Sequence, residues 1–258
     1  MTFAVTIGDA PESDYYARHF CLPGFSQDTQ QKLRGARVLV VGAGGLGCPA
    51  ALYFAGAGVG HIALCDADDV SATNLHRQIL FDVTTIGQKK VDVAAQRLRS
   101  INPHILIDPI CKFANAQVLG DLVGQYDLVL DGTDNFATKY AINDACEAVG
   151  VPLVYGSIFQ FEGQVSVFHY PTADYPAGIS YRDIFPDAPP AGLTQNCGEA
   201  GVIGVLPGII GIMQATEAIK MITGLGVTLS GVLLVFDALH ASIQRLTLSK
   251  PTKTMAHM

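Results

Sequence analysis

A glycine-rich turn between an apolar run and a helical pattern most constrains what this chain can fold into. From Arg37 the sequence reads RVLVVGAGG, an apolar, β-rich run that leads into glycines. A helical pattern follows over residues 46–57, and HIALCD then has the composition of a second strand. Strand, glycine turn, helix and strand in this order predict a βαβ unit.

The alternation of strands and helices continues through the middle of the chain. Helices are predicted over about residues 89–100 and 136–149, with a shorter one opening at Asn115. Strands are predicted at HILIDPI, DLVLD and PLVYGS. Continuous apolar strands separated by amphipathic helices indicate an α/β, Rossmann-like fold, with a mainly parallel sheet and helices on both faces.

The organisation changes in the last hundred or so residues. QVSVFHY alternates as an antiparallel strand does, and residues 171–198 are rich in Pro, Asp and Gly. A long helix is predicted over about residues 198–223, and GVLLVFD and SIQRLTL are predicted as closing antiparallel strands. A structureless loop as long as 171–198 is usually functional or mobile in a compact protein.

Composition and charge argue against several classes of partner. The net charge is −7 and only 15% of residues are charged, which disfavours a surface that binds nucleic acid or anionic lipid. The start, MTFAVTIGDAPESDYY, lacks the pattern of a secretory signal, so a cytoplasmic protein is expected. The apolar stretch at 202–213 contains Pro207 and is too short to span a membrane.

The glycine turn predicts a nucleotide site. In GAGGLG, the residues Gly42, Gly44 and Gly47 have the spacing of the dinucleotide fingerprint, and Gly45 lies between them. The following helix N-terminus offers free N–H groups to an anion. Asp66 ends the next strand, where an acid accepts hydrogen bonds from ribose hydroxyls. These residues alone fit NAD, FAD or ATP.

Cations that follow the acid favour ATP. Asn74, Arg77 and Gln78 lie in DADDVSATNLHRQILF, and IGQKK supplies Lys89 and Lys90 at the start of a helix. Positive charges on this side of the nucleotide suit the β- and γ-phosphates of a triphosphate, which a nicotinamide end lacks.

Two carboxylates at the end of the fourth strand predict a metal ion. Asp131 and Asp134 lie in LDGTDN, at the edge where ligands of open α/β sheets collect. Beside lysine and arginine, they suggest Mg²⁺ bridged to phosphates.

Each charge also has an ordinary structural interpretation. Arg77 could pair with Asp68 or Asp69. Lys90 could be a solvated helix residue, and Asp131 could cap the next helix. Their joint order along one edge of the sheet favours a ligand site over these separate explanations.

The sequence resembles the ThiF/MoeB/HesA family, bacterial relatives of the ubiquitin-activating enzymes. The matching motifs are GAGGLG, DADDVSATNLHRQILF, GQKK, INPH, DLVLDGTDN, EGQVSVF and CGEAGVIGVLPGIIGIMQATEAIKMITG. The resemblance implies an ATP-dependent adenylyltransferase that activates the C-terminal glycine of a small ubiquitin-like sulfur-carrier protein ending in Gly-Gly. An acyl-adenylate would form and pyrophosphate would leave, in thiamine, molybdopterin or related sulfur transfer.

The resemblance also implies a role for each residue of the expected site. Asp66 and Asn74 would hold the ribose side, Arg77, Gln78 and Lys90 would hold the phosphates, and Asp134 would bind Mg²⁺. The enzyme would be a homodimer in which Arg18, in YYARHFCLPGF, reaches the partner's triphosphate. Tyr15 stands where the family has a first arginine in this arm.

Cysteines distinguish this chain from many members of that family. SYRDIF and KPTKTMAHM stand where two C-x-x-C pairs commonly bind zinc, and His240 and His257 are too isolated to rebuild a site, so zinc is predicted absent. Cys197 in QNCGEAG is a candidate nucleophile because a helix N-terminus favours thiolate. It could equally be a small residue packed at a helix cap.

The resemblance divides the chain into an arm, one domain with two halves, and a tail. Residues 1–35 form the helical arm, 36–250 the ThiF-type domain with a nucleotide half at about 36–157 and a carrier-binding half at about 158–250, and 251–258 the tail. The arm carries two short helices around CLPGF, the second capped by Ser26. With no rhodanese extension expected, sulfur would come from a separate donor protein.

Three other functions stay open on the sequence. The same adenylation could act on a short peptide or a metabolite carboxylate in a biosynthetic cluster. The glycine turn also permits an NAD(P)-dependent oxidoreductase. A non-catalytic module that only docks a carrier protein is the third.

Overall fold

An eight-stranded sheet organises the protein. The structure is a computed structural model that describes residues 12–188 and 201–250. The strands are β1 Arg37–Val41, β2 His61–Cys65, β3 Leu106–Ile110, β4 Leu128–Asp131, β5 Leu153–Phe159, β6 Glu162–Phe168, β7 Val232–Asp237 and β8 Ser242–Thr247. They are arranged in the order β3-β2-β1-β4-β5-β6-β7-β8. The first five strands of this order, β3, β2, β1, β4 and β5, are parallel to one another. Strands β6, β7 and β8 continue the sheet with antiparallel pairing, so the predicted fold class is confirmed.

Helices cover both faces of the sheet. They are α1 Glu12–Tyr15, α2 Gln27–Gly35, α3 Gly47–Ala57, α4 Lys90–Ile101, α5 Ala116–Leu122, α6 Phe136–Val149, α7 Tyr181–Ile184 and α8 Val205–Thr223. Helices α2, α3, α4 and α8 pack on one face, and α5, α6 and α7 pack on the other. Along β1, Val38 and Val40 pack into the core beneath α2, α3, α4 and α8. Leu39 and Val41 pack into the core on the opposite face, beneath α5, α6 and α7. This strand is buried on both faces, which explains its continuous apolar run.

The order of the strands creates a switch point beside β1. The chain builds β1, β2 and β3 in one direction and then returns to place β4 and β5 on the other side of β1. The connection that follows β1 therefore runs towards one edge of the sheet, and the connection that follows β4 runs towards the other edge. The crevice outside the carboxyl ends of these two strands is where open α/β sheets bind ligands.

The described part of the N-terminal arm packs against the same core. Ser26 caps α2 by accepting a hydrogen bond from the Thr29 amide, as predicted. Leu33 is fully buried, and Lys32 Nζ donates to the Thr223 carbonyl at the end of α8. Tyr16 accepts a 2.7 Å hydrogen bond from Asn102. The division of the chain at residue 35, like the one at 157, stays a prediction.

The segment before α8 differs from the prediction. A helix was expected from residue 198, but it begins at Val205, and residues 198–200 lie outside the described residues. Gly201 has a φ of +76°, which interrupts a helix, and Val202 forms a parallel bridge with Gln160. The amide of Ile203 donates to the Gln160 carbonyl. Because these backbone bonds go to the β5–β6 turn, the helix starts later.

The long loop at 171–198 is also not structureless. Residues 181–184 form α7, which Ser180 and Asp183 cap with a reciprocal capping box. Asp183 lies 3.3 Å from Lys250 Nζ, near the end of the described chain. These contacts attach the first half of the loop to the domain, and residues 189–200 lie outside the described residues.

Helix α8 is long and apolar enough to cross a membrane by length and composition alone. It contacts α3, β5 and β6, and Ile210 and Ala218 on it are fully buried. A core helix of a globular domain passes the same test of length and composition.

The contact between the end of α2 and the start of β2 predicts a glycine requirement. A Cβ on Gly60 would lie 1.7 Å from the Arg34 carbonyl oxygen, so Gly60→Ala is expected to lower the free energy of unfolding by about 2 kcal/mol or more. Gly56→Ala is the control, because its Cβ would meet nothing within 4 Å inside α3. It should raise stability by about 0.5–1 kcal/mol. Urea denaturation measures both, and equal midpoints would contradict this.

Candidate nucleotide-binding site

The glycine turn is closed by direct backbone contact. Gly42 has a φ of +93° and its amide donates to the Cys65 carbonyl over 2.8 Å. A Cβ on Gly42 would lie 2.8 Å from the Gly132 carbonyl oxygen, and one on Gly47 would lie 1.9 Å from the Gly42 carbonyl oxygen. These glycines are therefore required by the turn itself, where it meets the end of β4.

Gly44 and Gly45 have different surroundings. A Cβ on Gly45 would lie 2.9 Å from Pro207, so Gly45 lets α8 approach the turn. A Cβ on Gly44 would meet nothing nearer than 3.8 Å. The missing side chain of Gly44 thus leaves space that the described protein does not fill. Helix α3 starts beside it with no side-chain cap, which leaves amide N–H groups for an anion.

A pocket lies over this turn at the switch point. It is an open crevice of about 860 Å³, a volume that includes the solvent at its mouth. The predicted residues that line it are Gly42, Gly44, Gly45, Asp66, Arg77, Gln78, Lys90 and Asp134. The structure therefore brings together residues that are up to 92 positions apart in sequence, from Gly42 to Asp134.

Asp66 is oriented by the turn that it faces. One of its carboxylate oxygens accepts a 2.8 Å hydrogen bond from the Ala43 amide, and the other accepts one of 2.8 Å from the Asp68 amide. Each carboxylate oxygen keeps a second lone pair. Asp66 can therefore still accept hydrogen bonds from ribose hydroxyls.

Two lysine–aspartate pairs lie side by side at the start of α4. Lys90 is 4% exposed and its Nζ lies 2.8 Å from Asp68 Oδ2. Lys89 lies 2.7 Å from Asp69, and both of these side chains are exposed to solvent. Lys90 lines the pocket, so its interpretation as a solvated helix residue is wrong.

Arg77 and Gln78 follow a short turn whose last residue is Asn74. The guanidinium of Arg77 donates to the Thr73 carbonyl and contacts His76 Nε2, and it pairs with neither Asp68 nor Asp69. The Asn74 carbonyl accepts from the amides of both Arg77 and Gln78. Asn74 is not among the residues that line the pocket, so a contact of the Asn74 side chain with ribose stays a prediction.

Gln78 carries an unsatisfied polar atom into the pocket wall. The residue is 4% exposed, and its Oε1 has no hydrogen-bond partner among the described residues. Its Nε2 is the atom 3.8 Å from the position of a Cβ on Gly44. A buried polar atom without a partner is costly, so a ligand or water is expected to complete it.

The two carboxylates after β4 lie in different environments. Asp131 is 1% exposed and lies 2.8 Å from the buried Lys139, so the expectation that it shares a Mg²⁺ ion with Asp134 is wrong. It does not cap α6 either, because Asn135 accepts from the Thr138 amide there. Asp134 is exposed and lines the pocket. Sequence reasoning missed Lys139, whose charge is hidden in an otherwise ordinary amphipathic helix.

The donors that remain fit Mg²⁺ delivered with phosphates. Within residues 12–188 and 201–250, no group of three or more His, Cys, Asp or Glu side chains could hold a metal ion. Mg²⁺ commonly binds through one or two carboxylates together with substrate phosphates and water. Asp134 supplies one such carboxylate, while the prediction that zinc is absent stays untested.

Other predicted residues lie away from the pocket. Arg18 is exposed before the short helix His19–Cys21 and does not line the pocket of its own chain. Cys197 and His257 lie outside the described residues. His240 lies 2.7 Å from Asp237 in the β7–β8 turn.

Thiols near the turn are protonated at neutral pH. Burial raises the pKa of Cys48 to about 12 and that of Cys65 to about 11. Cys65 lines the pocket but donates its proton towards the Lys112 carbonyl, 3.5 Å away. Neither thiol is therefore a ready nucleophile.

The fold and pocket are those of an α/β protein with cationic and carboxylate side chains gathered at the switch point of its sheet. The ThiF family profile matches residues 16–256, and the chain belongs to the ThiF family. This confirms the family suggested by the motifs.

Two relatives are named as adenylyltransferases. A "Sulfur carrier protein adenylyltransferase" of Thermus thermophilus is 44% identical over 239 residues, 93% of this chain and 88% of that protein. The "Probable adenylyltransferase/sulfurtransferase MoeZ" of Mycobacterium tuberculosis is 46% identical over 240 residues, but the chain spans only 61% of its length. The prediction that this chain is an ATP-using adenylyltransferase is confirmed.

A solved structure agrees with the fold. The crystal structure of E. coli MccB with MccA-N7isoASN superposes with a TM-score of 0.81 at 19% identity. The match covers 94% of this chain and 74% of that chain. At this identity the likeness supports the architecture alone.

The empty space at Gly44 predicts separable effects on folding and binding. Gly44→Ala should fold with a thermal midpoint close to that of the natural protein, because the added methyl group meets no described atom within 3.4 Å. The methyl would occupy the approach of a phosphate to the turn, so ATP affinity should fall by about tenfold or more. Calorimetric titration with ATP measures this, with Gly56→Ala as the control. Unchanged affinity in Gly44→Ala would place the phosphates elsewhere.

Proposed function

We propose that this protein uses ATP to activate the C-terminal glycine carboxylate of a small ubiquitin-like sulfur-carrier protein as an acyl-adenylate. The proposal is carried by one observation: Arg77, Lys90, Asp134 and the uncapped start of α3 face a single pocket. The named activity of the Thermus thermophilus relative supports the choice of substrate. Sulfur would then be supplied by a separate donor protein.

The proposed reaction requires little covalent help from the protein. A carboxylate oxygen attacks the α-phosphorus of ATP, the bond from that phosphorus to the bridging oxygen breaks, and pyrophosphate leaves with the bonding electrons. Positioning and stabilisation of the developing negative charge are the main contributions open to the enzyme. Arg77, Gln78, Lys90 and the α3 amides are suited to that role, while Asp66 and Asn74 would hold the ribose.

Asp134 would hold Mg²⁺ in this arrangement. When bound, the ion would neutralise negative charge on the phosphates. Asp131 would not bind the ion, because it forms a buried ion pair with Lys139. A metal held by one protein carboxylate would be bound together with the nucleotide, whose phosphates supply further ligands.

We also propose that the active form is a homodimer in which Arg18 reaches the pocket of the partner subunit. Arg18 is exposed and does not line the pocket of its own chain. Lys32 and Leu33 attach α2, the second helix of the arm, to α8 and the core. Labelling of the Cys197 thiol during turnover tests whether this residue takes part in the reaction.

The neighbouring lysines provide a matched test of the pocket. Lys90→Ala and Arg77→Ala should each lower carrier-dependent ATP–pyrophosphate exchange by about 100-fold or more, because each removes a positive charge from the phosphate site. Lys89→Ala should change the rate by less than about threefold, since its partner Asp69 lies outside the pocket lining. Equal losses at Lys89 and Lys90 would contradict the assignment.

The identity of the substrate is tested in the same assay. Exchange should depend on a carrier protein that ends in Gly-Gly and should be absent with a carrier lacking its last glycine. Exchange that requires a short peptide or a metabolite instead would support the alternative substrate class.

Mixing two inactive variants tests the shared site. If Arg18 acts across the dimer, Arg18→Ala mixed with Lys90→Ala should regain about a quarter of the exchange activity, because half of randomly mixed dimers carry one complete site of two. Lys90→Ala mixed with Arg77→Ala is the control and should regain none, as both changes affect the same pocket. Failure of the first mixture to regain activity, with subunit exchange verified by native mass spectrometry, would place Arg18 outside the site.

A further inference from the structure

A buried ion pair lies directly beneath the loop that carries Asp134. Asp131 ends β4 and is 1% exposed, and Lys139, in the second turn of α6, is 4% exposed. Lys139 Nζ lies 2.8 Å from Asp131 Oδ2 and also donates to the Gly156 carbonyl over 2.7 Å. The ammonium lies 5.1 Å from the centre of the Tyr155 ring. The pair thus joins β4, β5 and α6 at one point.

The same carboxylate shapes the loop. The second oxygen of Asp131 accepts from both the amide and the hydroxyl of Thr133, over 2.9 and 2.6 Å. Gly132 lies against the glycine turn, where a Cβ would be 2.8 Å from the Gly42 carbonyl oxygen. Asn135 then caps α6. Asp134 is therefore held between a bonded Thr133 and a capping Asn135.

A third element fixes the base of this arrangement. Gln214 on α8 is fully buried, and its Nε2 donates to the main-chain carbonyls of Asp131 and Val154. The side chain fits against Gly156, where a Cβ would lie 2.4 Å from it. Both the side chain and the main chain of Asp131 are therefore held.

Stability alone does not account for such a pair. Removing charges from water costs free energy that the attraction between them roughly repays, so a buried ion pair can often be replaced by neutral groups without loss of stability. Removing only one partner is different, because an uncompensated charge remains buried. What the pair provides beyond stability is a defined geometry.

We propose that Asp131 and Lys139 are positioning residues that hold Asp134 in the orientation needed to bind Mg²⁺ with the nucleotide. The proposal rests on the proposed function, since it assumes that Asp134 meets the metal. It gives the buried carboxylate a role through the loop rather than as a ligand.

The experiment compares single and double neutral variants. Asp131→Asn and Lys139→Met should each lower the midpoint of urea denaturation, and the double variant should recover most of that loss. The double variant should nevertheless need about fivefold more Mg²⁺ for half-maximal ATP binding in calorimetric titrations, with ATP affinity in the absence of Mg²⁺ unchanged. The matched control is Glu217→Gln with Lys220→Met, a largely buried pair on α8 outside the pocket lining, which should leave the Mg²⁺ requirement unchanged.

Thr133→Val keeps the proposal testable if the ion-pair variants do not fold. This change removes the hydroxyl that donates to Asp131 and leaves the ion pair intact. It should raise the Mg²⁺ requirement by at least about twofold at nearly natural stability. An unchanged Mg²⁺ requirement in Thr133→Val, or in a folded double variant, would overturn the positioning role.

Failure of the proposed function is distinguishable from failure of this inference. Wild-type protein that binds ATP but shows no carrier-dependent exchange would refute the substrate while leaving the Mg²⁺ titrations informative. Wild-type protein whose ATP binding does not respond to Mg²⁺ would overturn the positioning role together with the metal role of Asp134.

Discussion

The contact between three backbone segments at the carboxyl edge of the sheet is the constraint on which the site depends. Gly42, Gly47 and Gly132 approach so closely that a Cβ on any of them would lie within about 3 Å of a neighbouring backbone atom. This contact brings the end of β1, the start of α3 and the loop after β4 together. The uncapped start of α3 and the loop with Asp134 consequently face the same pocket.

Burial distinguishes charges that otherwise look alike. Asp68–Lys90 and Asp69–Lys89 are adjacent pairs of the same chemistry, with Nζ to carboxylate distances of 2.8 and 2.7 Å. Only Lys90 is buried in the pocket wall, where an electrostatic interaction with a phosphate is stronger than in water. Asp131 is the opposite case, because complete burial with Lys139 leaves it no access to a ligand.

Much of the architecture could be predicted because its signals are local. Apolar runs marked the strands, and Asn115 and Ser26 marked the helix starts through their caps. Helix α8 was predicted to begin too early because Val202 forms a bridge with Gln160, and the Ile203 amide donates to the Gln160 carbonyl, about forty positions away. The pairing of Asp131 with Lys139 was missed for a related reason, since a strand end and a helix interior give no shared pattern.

The sequence by itself determined the order of strands and helices, the glycine turn, and the charged residues in the motifs by which the chain resembles the ThiF family. These follow from periodicity, caps and spacing, which act over a few residues. Only the tertiary structure decided which charges face the pocket and which are neutralised inside the protein. Asp134 and Asp131 lie three positions apart, and Asp131 is buried by neighbours on α6 and α8 that the chain brings to β4 only when it folds.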